Sequence, residues 1–176
     1  MNNDGNYLLD GLEPLNNIAT DQESLNFLFG LLNYIKPKVI VEAGTYKGHF
    51  AVGAARMLPE SRIYTADIDV HTTLPELPNL TFYQGDFVDM LNEYRLGFDF
   101  AFIDSGPPPG GDKTKTIRMT HWEAAKRLCH VRGILACHDM AANNWHGGPE
   151  ITGESVRLLG GRGISLWEKK PQENEA

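Results

Sequence analysis

The sequence predicts an α/β fold: a mostly parallel sheet with helices on both faces, supported by three observations. Short apolar runs rich in β-branched and aromatic residues alternate with segments whose apolar residues recur at intervals of three and four. Several of those runs close on an acidic residue followed by a glycine or a polar stretch. The last two runs flank Gly160-Gly161-Arg162-Gly163 and form a hairpin, since glycine accepts the positive φ of a tight turn.

Taken in order, Leu25, Leu28, Phe29, Leu32 and Ile35 mark a helix that Thr20-Asp21-Gln22-Glu23 opens as a capping box and Pro37 ends. Val39-Ile40-Val41 is a strand, Gly44 to Gly48 its loop, and Phe50, Ala54, Met57 and Leu58 one face of the next helix. Further strands are expected at Arg62–Ala66, Leu80–Tyr83, Phe98–Ile103, Gly133–His138, Val156–Leu159 and Ile164–Trp167, seven in all. Helices are expected near Phe87–Tyr94 and His121–His130, the latter opened by a second capping box, Thr120-His121-Trp122-Glu123. Loops are expected at Ser105–Lys115 and Ala141–Gly153, both after the carboxyl ends of strands, where open α/β sheets bind ligands.

The chain has 176 residues, 41% of them hydrophobic, which suits a single domain over 1–176. Residues 1–20 read as an N-terminal extension and 169–176 as a flexible tail. No apolar run is long enough to span a bilayer, and the first residues lack the basic-then-apolar layout of a secretion signal, so a soluble cytoplasmic protein with no membrane association is expected. A net charge of −7 disfavours a nucleic-acid partner, because binding phosphate relies on clustered Lys and Arg. Cys129 and Cys137 form no C-x-x-C pair and are expected in the core.

The most informative segment is Val39-Ile40-Val41-Glu42-Ala43-Gly44-Thr45-Tyr46-Lys47-Gly48. Glycines at 44 and 48 let backbone approach a ligand, and Glu42 presents a carboxylate that suits a cation. The dinucleotide fingerprint G-x-G-x-x-G and the phosphate-binding G-x-x-x-x-G-K-[ST] loop both fail here. A plain tight turn is the other reading of the two glycines. The segment resembles the E/D-x-G-x-x-x-G motif of the class I S-adenosylmethionine-dependent methyltransferases. That resemblance, strongest over the first half of residues 25 to 168, implies a Rossmann-like three-layer α/β/α sandwich with a mostly parallel seven-stranded sheet and a C-terminal antiparallel hairpin.

Asp67 ends the second expected strand, 25 residues after Glu42, where a carboxylate offers two oxygens to the two hydroxyls of a ribose; Asp69 is the alternative. Gln84-Gly85-Asp86-Phe87 looks like the family's third segment, in which an acid meets the adenine amino group and an apolar residue packs on the ring. Asp86 reads equally as a helix N-cap. Asp104 ends the fourth strand. The resemblance thus implies an S-adenosylmethionine site made of Glu42, Gly44, Thr45, Gly48, Asp67, Ile68, Asp86, Phe87 and Asp104.

His138 and Asp139, at the exit of the fifth strand, are the candidate catalytic residues: a His-Asp pair there resembles a small-molecule O-methyltransferase branch. A neutral histidine there would be a base, although alternation points adjacent strand residues to opposite faces. In metal-dependent relatives, acids after the fourth and fifth strands bind Mg²⁺, and Asp104 and Asp139 hold those places. This sequence departs from the catechol-type pattern at Met140, where those enzymes carry asparagine, and in having no lysine shortly after Asp104. Trp145 and His146 fall in a loop at the edge where substrates are selected.

The resemblance implies methyl transfer from S-adenosylmethionine to an oxygen, or second a nitrogen, of a small-molecule acceptor. The competing reading is a non-catalytic module binding S-adenosylmethionine or S-adenosylhomocysteine, or serving in an assembly. The short N-terminal segment leaves little chain for a lid, which a homodimer would supply.

Overall fold

The computed structural model describes residues 7–15, 20–106, 114–140, 155–158 and 162–171. Among the described residues seven strands form one sheet: β1 (Val39–Ala43), β2 (Arg62–Asp67), β3 (Leu80–Gln84), β4 (Phe98–Ile103), β5 (Cys129–His138), β6 (Ser155–Leu158) and β7 (Ile164–Glu168). Their order is β3-β2-β1-β4-β5-β7-β6. The first five run parallel, and β7 is antiparallel to both β5 and β6. Strand order reverses between β1 and β4, so their carboxyl ends flank the crevice where a fold of this type places its ligand.

Helices α1 (Gln22–Ile35), α2 (His49–Met57), α3 (Phe87–Glu93) and α4 (Thr114–Leu128) cover the two faces. Ile40, Phe100 and Phe102 face α1 and α2 in one apolar layer, where the Phe50 and Phe102 rings lie 4.7 Å apart. Val39, Val41, Ala43, Ala101 and Ile103 face α3 and α4 in the other. Every residue of β1 is buried, as a central strand covered on both sides requires. A register irregularity between Phe98 and Phe100 puts those rings in opposite layers, and Asp99 between them accepts the backbone N–H groups of Lys38 and Val39.

Two helix starts differ from the sequence reading. The N-cap of α1 is Asp21, whose carboxylate accepts the N–H and hydroxyl of Ser24, so the expected box opening at Thr20 is displaced by one residue. That shift releases Thr20 to donate to Asp104. Helix α4 begins at Thr114, and Thr120–Glu123 lie inside it rather than capping it. Its C-terminal end is also earlier than expected, because β5 starts at Cys129, which pairs with Phe98 of β4.

Part of the N-terminal extension is docked. A 3₁₀ turn at Tyr7–Leu9 lies against α2, where Arg56 donates to the carbonyls of Leu8 and Asp10 and His49 Nε2 meets the Glu13 carbonyl at 2.7 Å. Both cysteines are buried, and burial pushes each thiol up to about 12, which makes them packing residues at neutral pH. Among the described residues no helix is long and apolar enough to cross a membrane.

Candidate functional site

The turn after β1 is built by two residues without side chains. Gly44 sits at φ +95 with its N–H bonded to the Ala66 carbonyl, and a Cβ there would fall 2.7 Å from the Asp104 carbonyl oxygen. Gly48 is the N-cap of α2 at φ +78, beneath the Leu74 side chain. Gly44 is favoured for conformation and for close approach of backbone, and Gly48 for its conformation.

Glu42 is 2% exposed, at the end of a polar chain: Thr45 Oγ1 donates to Thr65 Oγ1, which donates to Glu42 Oε2, each at 2.5 Å. Burial raises its pKa well above the usual carboxylate range, the Asp104 and Asp67 charges add to this, and the Thr65 bond only partly opposes it. A cation brought beside this buried carboxyl would favour its ionised form. Asp67, at the end of β2, accepts the Tyr46 N–H at 2.8 Å, which ties the β2 end to the β1 turn. Ile68 beside it is 55% exposed and offers an apolar surface at the same edge. Asp69 only donates its backbone N–H to Asp67.

Asp86 is the N-cap of α3, and its other oxygen accepts from His121 Nε2 at 3.1 Å. His121 Nδ1 in turn meets Ser105 Oγ at 2.8 Å. Burial works to raise the Asp86 pKa, but the His121 and Val88 bonds outweigh it and hold the carboxyl below its ordinary value. Phe87 is a core residue at 1% exposure, its ring 5.3 Å from that of His121. It backs the site from within.

At the ends of β4 and β5, six charged side chains meet. His138 is fully buried between carboxylates, with Nδ1 at 3.0 Å from Asp104 Oδ1 and Nε2 at 3.0 Å from Asp21 Oδ2. Carboxylates only accept, so both ring nitrogens donate and the ring is an imidazolium. Burial opposes that charge, but Asp104, Asp21 and Asp139 outweigh it and raise the pKa to about 9. Both ring nitrogens of His138, the expected base, are thereby engaged by carboxylates. Burial likewise works to raise Asp104, yet His138, Arg118 and Thr20 bring it down to about 2.

Arg118, on the buried face of α4, closes the cluster. Its Nε donates to the Ser105 carbonyl at 2.5 Å and Nη1 to the His138 carbonyl at 3.0 Å, while Nη2 reaches Asp104 Oδ1 at 3.2 Å and Asp139 Oδ2 at 2.8 Å. Asp139 sits at φ +62, which turns its carboxylate to the same side as His138 and defeats strand alternation. Its Oδ1 lies 2.6 Å from Arg162 Nε, an ion-pair contact without hydrogen-bond alignment.

The metal expectation meets these residues directly. Asp104, His138 and Asp139 bring ligand atoms within 4.8 Å of one another, a spacing a cation needs. However, His138 Nδ1 already lies at 3.0 Å from Asp104, and the guanidinium of Arg118 already bridges the two carboxylates. Mg²⁺, which binds oxygens at roughly 2.0–2.1 Å, does not fit that arrangement. An S-adenosyl cofactor does fit the other residues, since carboxylates at Glu42, Asp67 and Asp86 suit its cationic and hydroxyl donors around a turn bare of side chains. Trp145 and His146 lie outside the described residues.

Asp21, Arg118 and Arg162 were not singled out from the sequence. Arg118 had a legible signal, since it shares a helical stripe with the buried His121, Trp122 and Ala125.

No family model and no curated protein sequence matches this chain. Solved structures do. The O-methyltransferase TomG from Streptomyces achromogenes, in complex with S-adenosylmethionine, is 16% identical with a TM-score of 0.65, over 89% of this chain and 84% of that one. An O-methyltransferase from Bacillus cereus, in complex with S-adenosylhomocysteine, is 15% identical with a TM-score of 0.63, over 93% and 96%. The methyltransferase MycE, in complex with Mg, S-adenosylhomocysteine and mycinamycin VI, is 16% identical with a TM-score of 0.61, over 84% of this chain and 50% of that one. The strand order and these likenesses together give the chain the fold of the class I S-adenosylmethionine-dependent O-methyltransferases.

Proposed function

We propose that this protein binds S-adenosylmethionine at the β1–β4 crevice and transfers its methyl group to an oxygen of a small molecule. The observation that carries the reading is the gathering of Glu42, Asp67 and Asp86 around the Gly44–Gly48 turn at one sheet edge. Each of these carboxylates lies at or next to the carboxyl end of a parallel strand, where its oxygens can also accept from the donors of a ligand.

In this reading Glu42 faces the cationic end of the cofactor, Asp67 the ribose hydroxyls, and Asp86 the adenine amino group beside Ile68. Gly44, Thr45 and Gly48 shape the backbone that lies against it. The cofactor supplies an electrophilic methyl on a sulfonium, so the protein's task is mainly alignment of the acceptor. His138 and Asp139 serve as positioning residues: held by Arg118, they lock the ends of β4 and β5 to α1. Two copies in a dimer would supply a lid over the acceptor.

The test is production of S-adenosylhomocysteine from S-adenosylmethionine across a panel of hydroxylated small molecules, with Asp67→Ala as control. Acceptor-dependent product that falls in the variant supports the reading. Tight cofactor binding with no turnover on any acceptor would favour the non-catalytic module instead.

A further inference from the structure

We infer that Arg118 stands in for a divalent cation at this site, and that the protein works without a metal between Asp104 and Asp139. One guanidinium nitrogen, Nη2, touches both carboxylates, at 3.2 and 2.8 Å, in the space a bridging cation needs. Arg118 is 3% exposed and also bonds the Ser105 and His138 carbonyls, one just past β4 and the other at the end of β5. Moving it aside for a metal takes a donor from two carbonyls and two carboxylates at once.

Charge leads to the same conclusion. Arg118 and Arg162 already set two positive charges against the carboxylates of Asp104 and Asp139. A dication added to that set leaves an uncompensated double charge in a buried place, which is strongly unfavourable. The position of Arg118 on the buried stripe of α4 with His121, Trp122 and Ala125 makes the substitution part of the fold.

The chemical consequence follows from what an arginine lacks. A metal offers open coordination places that hold an acceptor oxygen and lower its pKa, whereas a guanidinium with its donors committed to protein offers none. Arg118 is therefore a positioning residue, and no metal holds an acceptor oxygen between Asp104 and Asp139. This inference holds whether or not the methyl-transfer reading does, because metal occupancy is read without cofactor.

The experiment is a Mn²⁺ titration of the full chain followed by electron paramagnetic resonance, which reports free hydrated Mn²⁺ directly. The wild type is expected to leave the free-ion signal undiminished up to millimolar Mn²⁺. Arg118→Ala, shown folded by circular dichroism, is expected to bind one equivalent, with affinity raised about a hundredfold. Arg118→Met, which retains most of the buried volume, carries the same expectation if the alanine variant does not fold. One equivalent bound by the wild type at micromolar Mn²⁺ and lost in Asp139→Asn overturns the inference, whatever the variants do. Folded Arg118 variants that gain no Mn²⁺ site overturn it as well.

Discussion

His138 Nε2 donates to Asp21 Oδ2 at 3.0 Å, joining the last residue of β5 to the N-cap of α1 across 117 positions of sequence. The same carboxylate caps the helix through Ser24. The start of α1 is thus clasped to the carboxyl edge of the sheet, where the candidate site lies.

That clasp makes stability depend on pH in a stated direction. The His138 pKa rises from 6.5 to about 9, so the stability it contributes is complete below pH 6.5 and is lost as pH rises through 9. Glu42, raised by burial, acts with the same sign above its ordinary value of 4.5. Asp104, lowered from 3.8 to about 2, contributes stability present above pH 3.8 and lost as pH falls toward 2. Denaturation midpoints are expected to fall from pH 6.5 to 9, and Asp21→Asn, which retains a capping acceptor, to move that fall to lower pH. Midpoints that stay level across that range contradict the imidazolium assignment.

Removing the ring itself is more severe. His138→Ala leaves Asp21 and Asp104 facing each other across a buried space, and breaking a buried pair of this kind costs about 3–5 kcal/mol. Urea unfolding at pH 7 measures it. A loss below about 1 kcal/mol, the range of exposed pairs, would mean that the cluster is wetter than its burial implies.

Gly44→Ala tests the turn. Its backbone lies at φ +95 and the added methyl meets the Asp104 carbonyl at 2.7 Å, so the variant is expected to lose roughly 1–3 kcal/mol of stability. Thermal unfolding beside Gly30→Ala, where a methyl meets nothing within 4 Å, separates strain at the turn from a general glycine effect.

Glu42 gives a prediction about protons. If this buried carboxyl is neutral in the free protein and ionises against a cationic ligand, S-adenosylmethionine binding releases a proton from it at neutral pH. Calorimetry in buffers of different ionisation enthalpy is expected to show that release in the wild type and not in Glu42→Gln. Equal heats in all buffers for the wild type would place the cation elsewhere.

The fold was legible because its signals are local. Apolar runs such as Phe98–Ile103 and the glycine turn after Val41 each announce an element without help from the rest of the chain. Asp67 and Asp86 were legible for the same reason, as acids at the ends of elements. The charge cluster was not, because it joins Asp21, Asp104, Arg118, His138 and Arg162, which come from five segments brought together only by folding. Thr20 misled the reading, since T-x-x-E fits a capping box and nothing local shows that Asp21 wins the cap. Strand alternation predicted opposite faces for His138 and Asp139, and the positive φ at Asp139 reversed that.

Titration calorimetry of the wild type and Asp67→Ala decides whether the acid-lined crevice beside Gly44 binds an S-adenosyl cofactor. The wild type is expected to bind S-adenosylmethionine and S-adenosylhomocysteine at micromolar concentration and NAD not at all, with affinity about 10- to 100-fold weaker in Asp67→Ala, for the loss of charged hydrogen bonds to a ribose. No binding of either cofactor form by folded wild-type protein, or equal affinity in the variant, would contradict binding there.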